Sequence, residues 1–153
     1  MNKFDLVVHC AAQPSHDKSA ENPVKDFQIN AMGTVMLLDE IRQHSPNATF
    51  IFCSTNKVYG DGPNYVPMKE GKTRFEHTGE TSFNTESCKI RTPFGVSKLS
   101  ADCAVQEYGN YFGMNTAVFR LGCVKGPAQK GVELHGFLNY LCKCAIESEL
   151  PRR

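Results

Sequence analysis

The heptapeptide Thr92-Pro-Phe-Gly-Val-Ser-Lys98 opens a long helical pattern that runs to about residue 112. Phe94 and Lys98 stand four residues apart, so on a helix they share one face and their side chains reach the same site. The apolar stripe of this pattern consists of Leu99, Ala101, Ala104, Val105, Tyr108 and Phe112. We therefore predict an amphipathic helix over 92–112 that carries Phe94 and Lys98 near its start.

Three short apolar runs elsewhere in the chain predict β-strands. They are Asp5-Leu-Val-Val-His-Cys10, Thr49-Phe-Ile-Phe-Cys53 and Thr116-Ala-Val-Phe-Arg-Leu121. A continuously apolar run is typical of a parallel strand that is covered on both faces, so we expect the first strand to be buried.

Two further helices are predicted between and after these strands. Asn22 and Pro23 are typical of an N-cap and a first helical residue, and a helix is predicted from there to about residue 44. The inward stripe of this helix is expected to be Val24, Phe27, Ala31, Val35, Leu38 and Ile41. The last helix is predicted at about 133–147. The segments 15–22 and 61–90 are predicted as loops, and the length of the second indicates a functional loop.

Strands that alternate with helices indicate a parallel α/β fold. We predict the second half of a Rossmann-type, doubly wound parallel sheet in three α/β/α layers. Ligands bind such sheets beyond the C-terminal ends of the strands. Small or polar residues follow the three strands at these ends, namely Ala11-Ala12-Gln13, Ser54-Thr55-Asn56 and Gly122-Cys123-Val124. The sequence therefore predicts one site at this edge of the sheet.

The composition is that of an ordinary globular protein and argues against several classes of partner. The 153 residues carry 17 basic and 16 acidic side chains, a net charge of +1, so we expect no nucleic-acid partner and no membrane partner. No apolar run is long enough to span a bilayer, and the N-terminus lacks a signal-peptide core, which predicts a cytoplasmic protein. Seven cysteines without a C-x-x-C pair predict reduced thiols, and five histidines without metal spacing predict no metal site.

Six motifs occur in an order that resembles one protein family. They are His9-Cys-Ala-Ala-Gln13, Asn30-x-x-Gly33-Thr34, Ser54-Thr-Asn-Lys-Val-Tyr-Gly60, the Lys98 helix, Phe119-Arg120 and Gly126-Pro127. In this order and spacing they resemble the extended short-chain dehydrogenase/reductases, which are NAD-dependent sugar-nucleotide epimerases and dehydratases. The 54–60 motif and Glu133-Leu-His-Gly-Phe137 resemble the CDP-paratose (tyvelose) 2-epimerase branch of that family.

The resemblance implies roles for the side chains at the expected site. Lys98 resembles the lysine that holds the nicotinamide ribose of NAD, and Thr55 resembles the hydroxyl that binds the sugar hydroxyl being oxidised. Asn56 is implied to contact the substrate. Further cofactor-binding positions are implied at Ala11, Ala12, Gln13, Ser54, Arg120 and Cys123. The residues by themselves leave four alternatives open. Lys98 is a solvated helix lysine, Thr55 is a hydroxyl that caps a turn, Arg120 forms a salt bridge, or Ala11 and Ala12 serve only to pack the strand end.

Phe94 departs from the pattern of the family. It stands where the family has the tyrosine that transfers a proton, and a phenyl ring has no proton to exchange. Acid–base help commonly contributes ~10²–10⁴ in rate, so its loss is expected to be severe. We expect either a non-catalytic member of the family or proton transfer by another group. Tyr59, Glu86 and Cys88 are candidates for that group, although Tyr59 is also expected to be a packing residue of its turn.

The resemblance implies an epimerase that oxidises a nucleotide-linked sugar transiently with NAD and then reduces it again. Thr55, Phe94 and Lys98 occupy the implied catalytic positions. Asn56 and Lys57 stand where similar 4,6-dehydratases carry an Asp-Glu pair, which disfavours dehydration. A non-catalytic remnant that binds a partner chain is the alternative, and a reductase that consumes NAD(P)H is a third.

The resemblance covers only about the middle of the family's length. No Gly-rich dinucleotide fingerprint occurs among the twelve glycines, and most of the C-terminal substrate-binding part is missing. We therefore expect residues 1–153 to be a partial NAD(P)-binding domain and a fragment of a longer enzyme. The expected partners are a nucleotide-sugar substrate and either a second copy of the chain or a chain that supplies the N-terminal half.

Overall fold

A computed structural model describes residues 3–78, 92–129 and 136–147 of the chain. In chain order its strands and helices are β1 (Leu6–His9), α1 (His16–Glu21), α2 (Pro23–Phe27), α3 (Gly33–His44), β2 (Thr49–Thr55), β3 (Met68–Glu70), β4 (Phe75–His77), α4 (Pro93–Phe112), β5 (Asn115–Leu121) and α5 (Phe137–Glu147). Strands β1, β2 and β5 form a parallel sheet in that order. The predicted α/β fold with a parallel sheet is confirmed.

Helices α3 and α4 pack on the same face of this sheet. Helix α3 lies in the connection from β1 to β2 and α4 in the connection from β2 to β5, so both connections step in the same direction across the sheet. Right-handed connections of this kind place their helices on one side of the sheet. Phe50 and Phe52 of the central strand β2 point to that side and are fully buried. The core cluster consists of Leu38, Ile41, Ala48, Phe50, Phe52, Ala101, Val105 and Met114.

The other face of the sheet is exposed among the described residues, which corrects the expectation for the first strand. Leu6 and Val8 of β1 are 54% and 52% exposed, and Phe119 of β5 is 51% exposed. The prediction that β1 is buried is therefore wrong for one face. A continuously apolar run identifies a strand, but whether both of its faces are covered depends on what packs against them.

Capping residues set the helix boundaries where the sequence predicts them. Asn22 caps α2, because its side-chain oxygen accepts a backbone N–H of the first turn at 3.0 Å. Thr92 caps α4 in the same way and accepts the N–H of Gly95 at 3.2 Å. Helix α4 ends at Gly113, whose positive φ of 70° favours glycine.

The helix predicted from residue 22 to about residue 44 is interrupted by a π-helical segment, Gln28–Met32. The wider turn of a π-helix changes which side chains face the core. Val24 and Phe27 are therefore exposed, whereas Asp26 and Asn30 are buried in their place. The predicted apolar stripe is wrong in its first two residues.

Two segments that were predicted as loops contain regular structure. Residues His16–Glu21 form α1, and Ser15 caps it by accepting the N–H of Lys18 at 3.3 Å. Strands β3 and β4 form an antiparallel hairpin. These elements are too short to show a periodicity that separates them from a loop. The rest of the second segment, from residue 79 onwards, lies outside the described residues.

The described part of the last helix is α5, which begins at Phe137. Residues 130–135, with the predicted helix start and most of the 133–137 motif, lie outside the described residues. Within the part of the chain that the structure describes, no helix has both the length and the apolar character needed to cross a membrane.

Phe50→Ala is expected to lower the free energy of unfolding by about 3–5 kcal/mol, the usual cost of truncating a buried phenylalanine. The Phe50 side chain is 0% exposed between the sheet and helices α3 and α4. Urea denaturation of the two proteins measures the difference. Tyr111→Ala is the control at a side chain that is 80% exposed, and it should stay within about 0.5 kcal/mol of the wild type. Equal stability of the two variants would contradict this core.

Candidate functional site

A cavity of about 590 Å³ lies beyond the C-terminal ends of β1, β2 and β5. Each of the three clusters that the sequence predicts at this edge contributes to its lining. Seven of the ten predicted site residues line it, namely Ala12, Ser54, Thr55, Asn56, Phe94, Lys98 and Cys123. The fold therefore brings residues from distant parts of the chain together at the edge where the sequence predicts a site.

Ala11, Gln13 and Arg120 are the predicted site residues that do not line this cavity. Gln13 turns towards α2, where its side-chain nitrogen donates to Asp26 at 2.7 Å. Along β5, neighbouring side chains alternate between the two faces of the sheet. Leu121 therefore lines the cavity, while Arg120 reaches the helix-covered face and Asp102.

Lys98 is the buried cation of the cavity. Its Nζ donates a hydrogen bond to the backbone oxygen of Cys53 at 2.9 Å and lies 4.1 Å from the centre of the Phe52 ring. Burial lowers the pKa of Lys98 to about 8, against the opposing effects of Cys53 and Asp102. An ammonium group has three N–H donors, and this is the one hydrogen bond that Nζ makes within the described residues. Two donors are therefore left for a ligand.

Asp102, one helical turn after Lys98, ties α4 to the strands. Its fully buried carboxylate accepts hydrogen bonds from Ser54 at 2.6 Å, from Gln106 at 2.6 Å and from two nitrogens of Arg120 at 2.8 and 3.0 Å. These hydrogen bonds raise the pKa of Arg120 above its usual value. The salt-bridge alternative for Arg120 is thus confirmed. Sequence reasoning missed Asp102, although an acidic residue beside the apolar stripe was a usable signal.

A second buried network holds the start of α4. The side-chain oxygen of Asn30 accepts the backbone N–H of Gln13 at 2.8 Å, and its nitrogen donates to Ser97 at 3.1 Å and to Asp26 at 3.1 Å. Ser97 also donates to the other oxygen of Asp26. Asn30 is therefore a structural polar contact between the loop after β1 and helices α2 and α4. The network fixes the loop after β1 against the helix that carries Phe94.

Thr55 lies both in the cavity and at the start of a turn. Its hydroxyl oxygen accepts the N–H of Lys57 at 3.2 Å and caps the 3₁₀ turn Asn56–Tyr59. The alternative of a turn-capping hydroxyl is confirmed, and it leaves Thr55 among the residues that line the cavity.

Of the three candidates for the missing acid–base group, Tyr59 does not line the cavity. It lies over the guanidinium group of Arg120, whose Nη1 donates to the Tyr59 hydroxyl at 3.2 Å. This contact supports the expected packing role. Glu86 and Cys88 lie outside the described residues.

His16 lines the cavity but was not singled out in the sequence. Helix α1 places its ring edge-on against Phe94, with ring centres 4.8 Å apart. Burial lowers the pKa of His16 below its ordinary value of 6.5, and Lys57 adds to this effect, while Asp17 and Asp26 oppose it. The only signal in the sequence was its place in a polar segment after a strand, where we predicted a loop.

The thiols agree with the prediction of reduced cysteines as far as the structure describes them. None of the six cysteines in the described part of the chain forms a disulfide. Cys10 directly follows β1 and Cys53 lies on the neighbouring strand β2, with their sulfur atoms 3.5 Å apart. Among the described residues, no group of three or more His, Cys, Asp or Glu side chains is arranged to hold a metal ion.

Comparisons with known proteins agree on one family. The model of the NAD-dependent epimerase/dehydratase family matches residues 1–151. The CDP-paratose 2-epimerase of Salmonella typhi is 37% identical over 145 residues, which are 94% of this chain and 43% of the relative. The dTDP-D-glucose 4,6-dehydratase of Dictyostelium discoideum is 30% identical over 149 residues, which are 94% of this chain and 33% of the relative.

A solved structure extends this similarity to the fold. The UDP-glucose 4-epimerase of Thermus thermophilus in complex with NAD matches with a TM-score of 0.73 and 26% identity, over 95% of this chain and 42% of that one. The chain thus spans less than half the length of each of these three relatives.

Lys98→Met is expected to change how stability depends on pH. The unfolded lysine holds its proton up to about pH 10.5, whereas the folded one releases it from about pH 8. Between these values the unfolded state binds more protons, so the stability of the wild type rises with pH. Its free energy of unfolding relative to Lys98→Met should therefore increase from about pH 8 to 10.5 in urea denaturation at each pH.

The control for this experiment is Ser100→Ala, a change on the same helix that removes no titrating group. The difference between wild type and Ser100→Ala should stay constant over the same pH range. A constant difference for Lys98→Met as well would contradict the burial of the Lys98 ammonium.

Proposed function

The chain belongs to the NAD-dependent epimerase/dehydratase family, and we propose that it acts in the epimerisation of a nucleotide-linked sugar. In this reaction a sugar carbon is oxidised transiently and reduced again from its other face, so no cofactor is consumed overall. The observation that carries the proposal is the cavity in which Thr55, Asn56 and Lys98 lie together beyond the strand ends.

The residues of the cavity fit the nicotinamide end of NAD, the cofactor of this family. Lys98 has two unused N–H donors, which suit the neighbouring hydroxyls of a ribose. Ala12 is small, and a Cβ built on Gly122 would meet no described residue within 4 Å, so a ring has room to approach the backbone. When bound, NAD supplies the hydride acceptor. Lys98 orients the ribose, and Ala12 and Cys123 line the space for the ring.

Other predicted cofactor residues hold the helix and the loop of the cavity in place. Ser54 and Arg120 act through the carboxylate of Asp102, which holds α4 in place. Gln13 acts through Asp26 and Asn30, which fix the loop before α1. In this proposal they position the helix of Lys98 and the loop of Ala12.

Epimerisation is favoured over dehydration by the polar residues at the sugar side. Thr55 holds the hydroxyl that is oxidised, and Asn56 contacts the sugar beside it. Elimination of water needs a group that donates a proton and one that removes a proton. The amide of Asn56 does neither. Lys57 is a cation, so it has no lone pair with which to remove a proton. The similarity to a CDP-paratose 2-epimerase supports the same choice.

We propose that residues 1–153 form part of a larger NAD(P)-binding domain. The chain spans 43% of the CDP-paratose 2-epimerase that it resembles, so the complete active protein needs further residues. Leu6, Val8 and Phe119 expose an apolar sheet face on which such residues can pack. These further residues come from the same protein, from a second copy of the chain or from a chain that carries the N-terminal half.

NAD is expected to raise the melting temperature of the protein, since a ligand that binds the native state stabilises it. Lys98→Gln loses charged hydrogen bonds to the ribose, so NAD should bind roughly 10- to 100-fold more weakly. Lys143→Gln, at an exposed lysine of α5, is the control and should bind as the wild type does. A melting temperature that NAD does not change would favour a non-catalytic remnant.

The reaction itself is tested with NAD and CDP-paratose or UDP-glucose, by following the sugar product by NMR and the nicotinamide absorbance. Interconversion of epimers without net change in absorbance is expected. Net consumption of NAD(P)H would instead indicate a reductase of the same family.

Phe94→Tyr is expected to raise turnover, because its phenol adds a group that transfers a proton. The gain should be smaller than the roughly 10²–10⁴ that a positioned acid–base group contributes where no other group serves. Phe94 lines the cavity with Thr55 and Lys98, so a hydroxyl on its ring reaches the same space. Phe112→Tyr, at the exposed end of the same helix, is the matched control and should leave turnover unchanged. Equal or lower turnover in Phe94→Tyr would contradict the assignment of position 94.

A further inference from the structure

His16 and Phe94 form an aromatic pair in the wall of the cavity that also holds Thr55 and Lys98. The two rings meet edge to face with centres 4.8 Å apart. The imidazole of His16 therefore lies directly beside position 94, where the family resemblance implies a tyrosine that transfers a proton. Helix α1, which carries His16, contacts both α2 and α4, so this placement is built into the fold.

The hydrogen bonds of His16 leave one ring nitrogen for a ligand. Nδ1 lies 3.1 Å from the hydroxyl oxygen of Thr92. That oxygen is itself fixed, because it caps α4 by accepting the N–H of Gly95 at 3.2 Å. Nε2 makes no hydrogen bond to any residue in 3–78, 92–129 or 136–147. An imidazole held at one nitrogen and open at the other is the arrangement that a general base requires.

The surroundings of His16 favour the neutral form of its ring. Burial lowers its pKa below 6.5, and the charge of Lys57 lowers it further. Asp17 of its own helix and Asp26 of α2 act in the opposite direction. Two other titratable groups in the cavity are less suited. Burial raises the pKa of Cys53, so its thiol keeps its proton, and the ammonium of Lys98 is bound to a backbone oxygen.

We propose that His16 is the group that takes and returns the proton of the sugar hydroxyl in this protein. The inference rests on the proposed function. In the oxidation, the hydroxyl proton passes to Nε2 while the C–H electron pair leaves with hydrogen for the nicotinamide, so the alcohol becomes a ketone and the imidazole becomes an imidazolium. The return step reverses both transfers. Thr92 accepts from Nδ1–H throughout, which keeps the exchanging lone pair on Nε2.

His16→Gln tests this role in the full protein with NAD and CDP-paratose or UDP-glucose. Turnover should fall by roughly 10²-fold or more, while the NAD-induced rise in melting temperature stays as in the wild type. The fall in turnover on the acid side of the pH profile, where the wild-type imidazole becomes protonated, should disappear. His44→Gln, at an exposed histidine paired with Glu40, is the matched control. Wild-type turnover with an unchanged pH profile in His16→Gln would overturn the proposal.

A rescue experiment separates proton transfer from a structural role of the imidazole. Phe94→Tyr in the His16→Gln background supplies an acid–base group at the neighbouring position in the cavity. Turnover of the double variant should rise at least roughly 10-fold above that of His16→Gln. A double variant as slow as His16→Gln would assign His16 a structural role and overturn the proposal.

An NMR measurement keeps this inference distinct from the proposed function. If neither nucleotide sugar is turned over, the proposed function fails, and the ¹⁵N signals of the His16 ring still report contact with the sugar. Addition of CDP-paratose to the protein with NAD should shift the Nε2 signal, while CDP alone should not. The same spectra of His16→Gln identify the signal. An Nε2 signal that responds to neither compound would overturn the role of His16.

Discussion

The position of α4 depends on the buried carboxylate of Asp102. A buried charge that loses its partners costs about 3–5 kcal/mol, so the helix is stable only where donors from β2 and β5 meet this group. Ser54 and Arg120 supply them at 2.6 to 3.0 Å. Once α4 is docked in this way, Lys98 one turn earlier lies over Phe52 at the rim of the cavity. A contact outside the cavity therefore places the residue on which cofactor binding is proposed to depend.

A second polar network, around Asp26 and Asn30, holds the frame of the site, which is the first turn of α4 and the loop after β1. This frame does not depend on the ring at position 94. It holds the first turn of α4 through Ser97 and the loop after β1 through the backbone of Gln13. Neither network uses the side chain of Phe94. The chain therefore retains the frame while position 94 carries a ring without a hydroxyl. In the proposed mechanism a neighbouring side chain supplies the acid–base chemistry.

Much of the fold was predictable because it follows from local patterns. The three strands, the cap at Asn22 and the helix over 92–112 are confirmed. The errors have physical causes. Helix α1 is shorter than two turns and shows no period, and the π-helical segment Gln28–Met32 rotates the preceding turn so that polar residues face inward. The number of covered sheet faces is not a local property either.

By itself the sequence determined the order of the three sheet strands and the longer helices, and with it the parallel α/β class, because spacing and capping act within a few residues. The order of six motifs indicated the family. Only the tertiary structure decided which polar groups meet. It turned Arg120 towards Asp102 and away from the cavity, and it set His16 against Phe94. The reason is that these partners are up to 78 residues apart in the chain. Contacts at such separations arise from the packing of helices on a sheet, which no local pattern records.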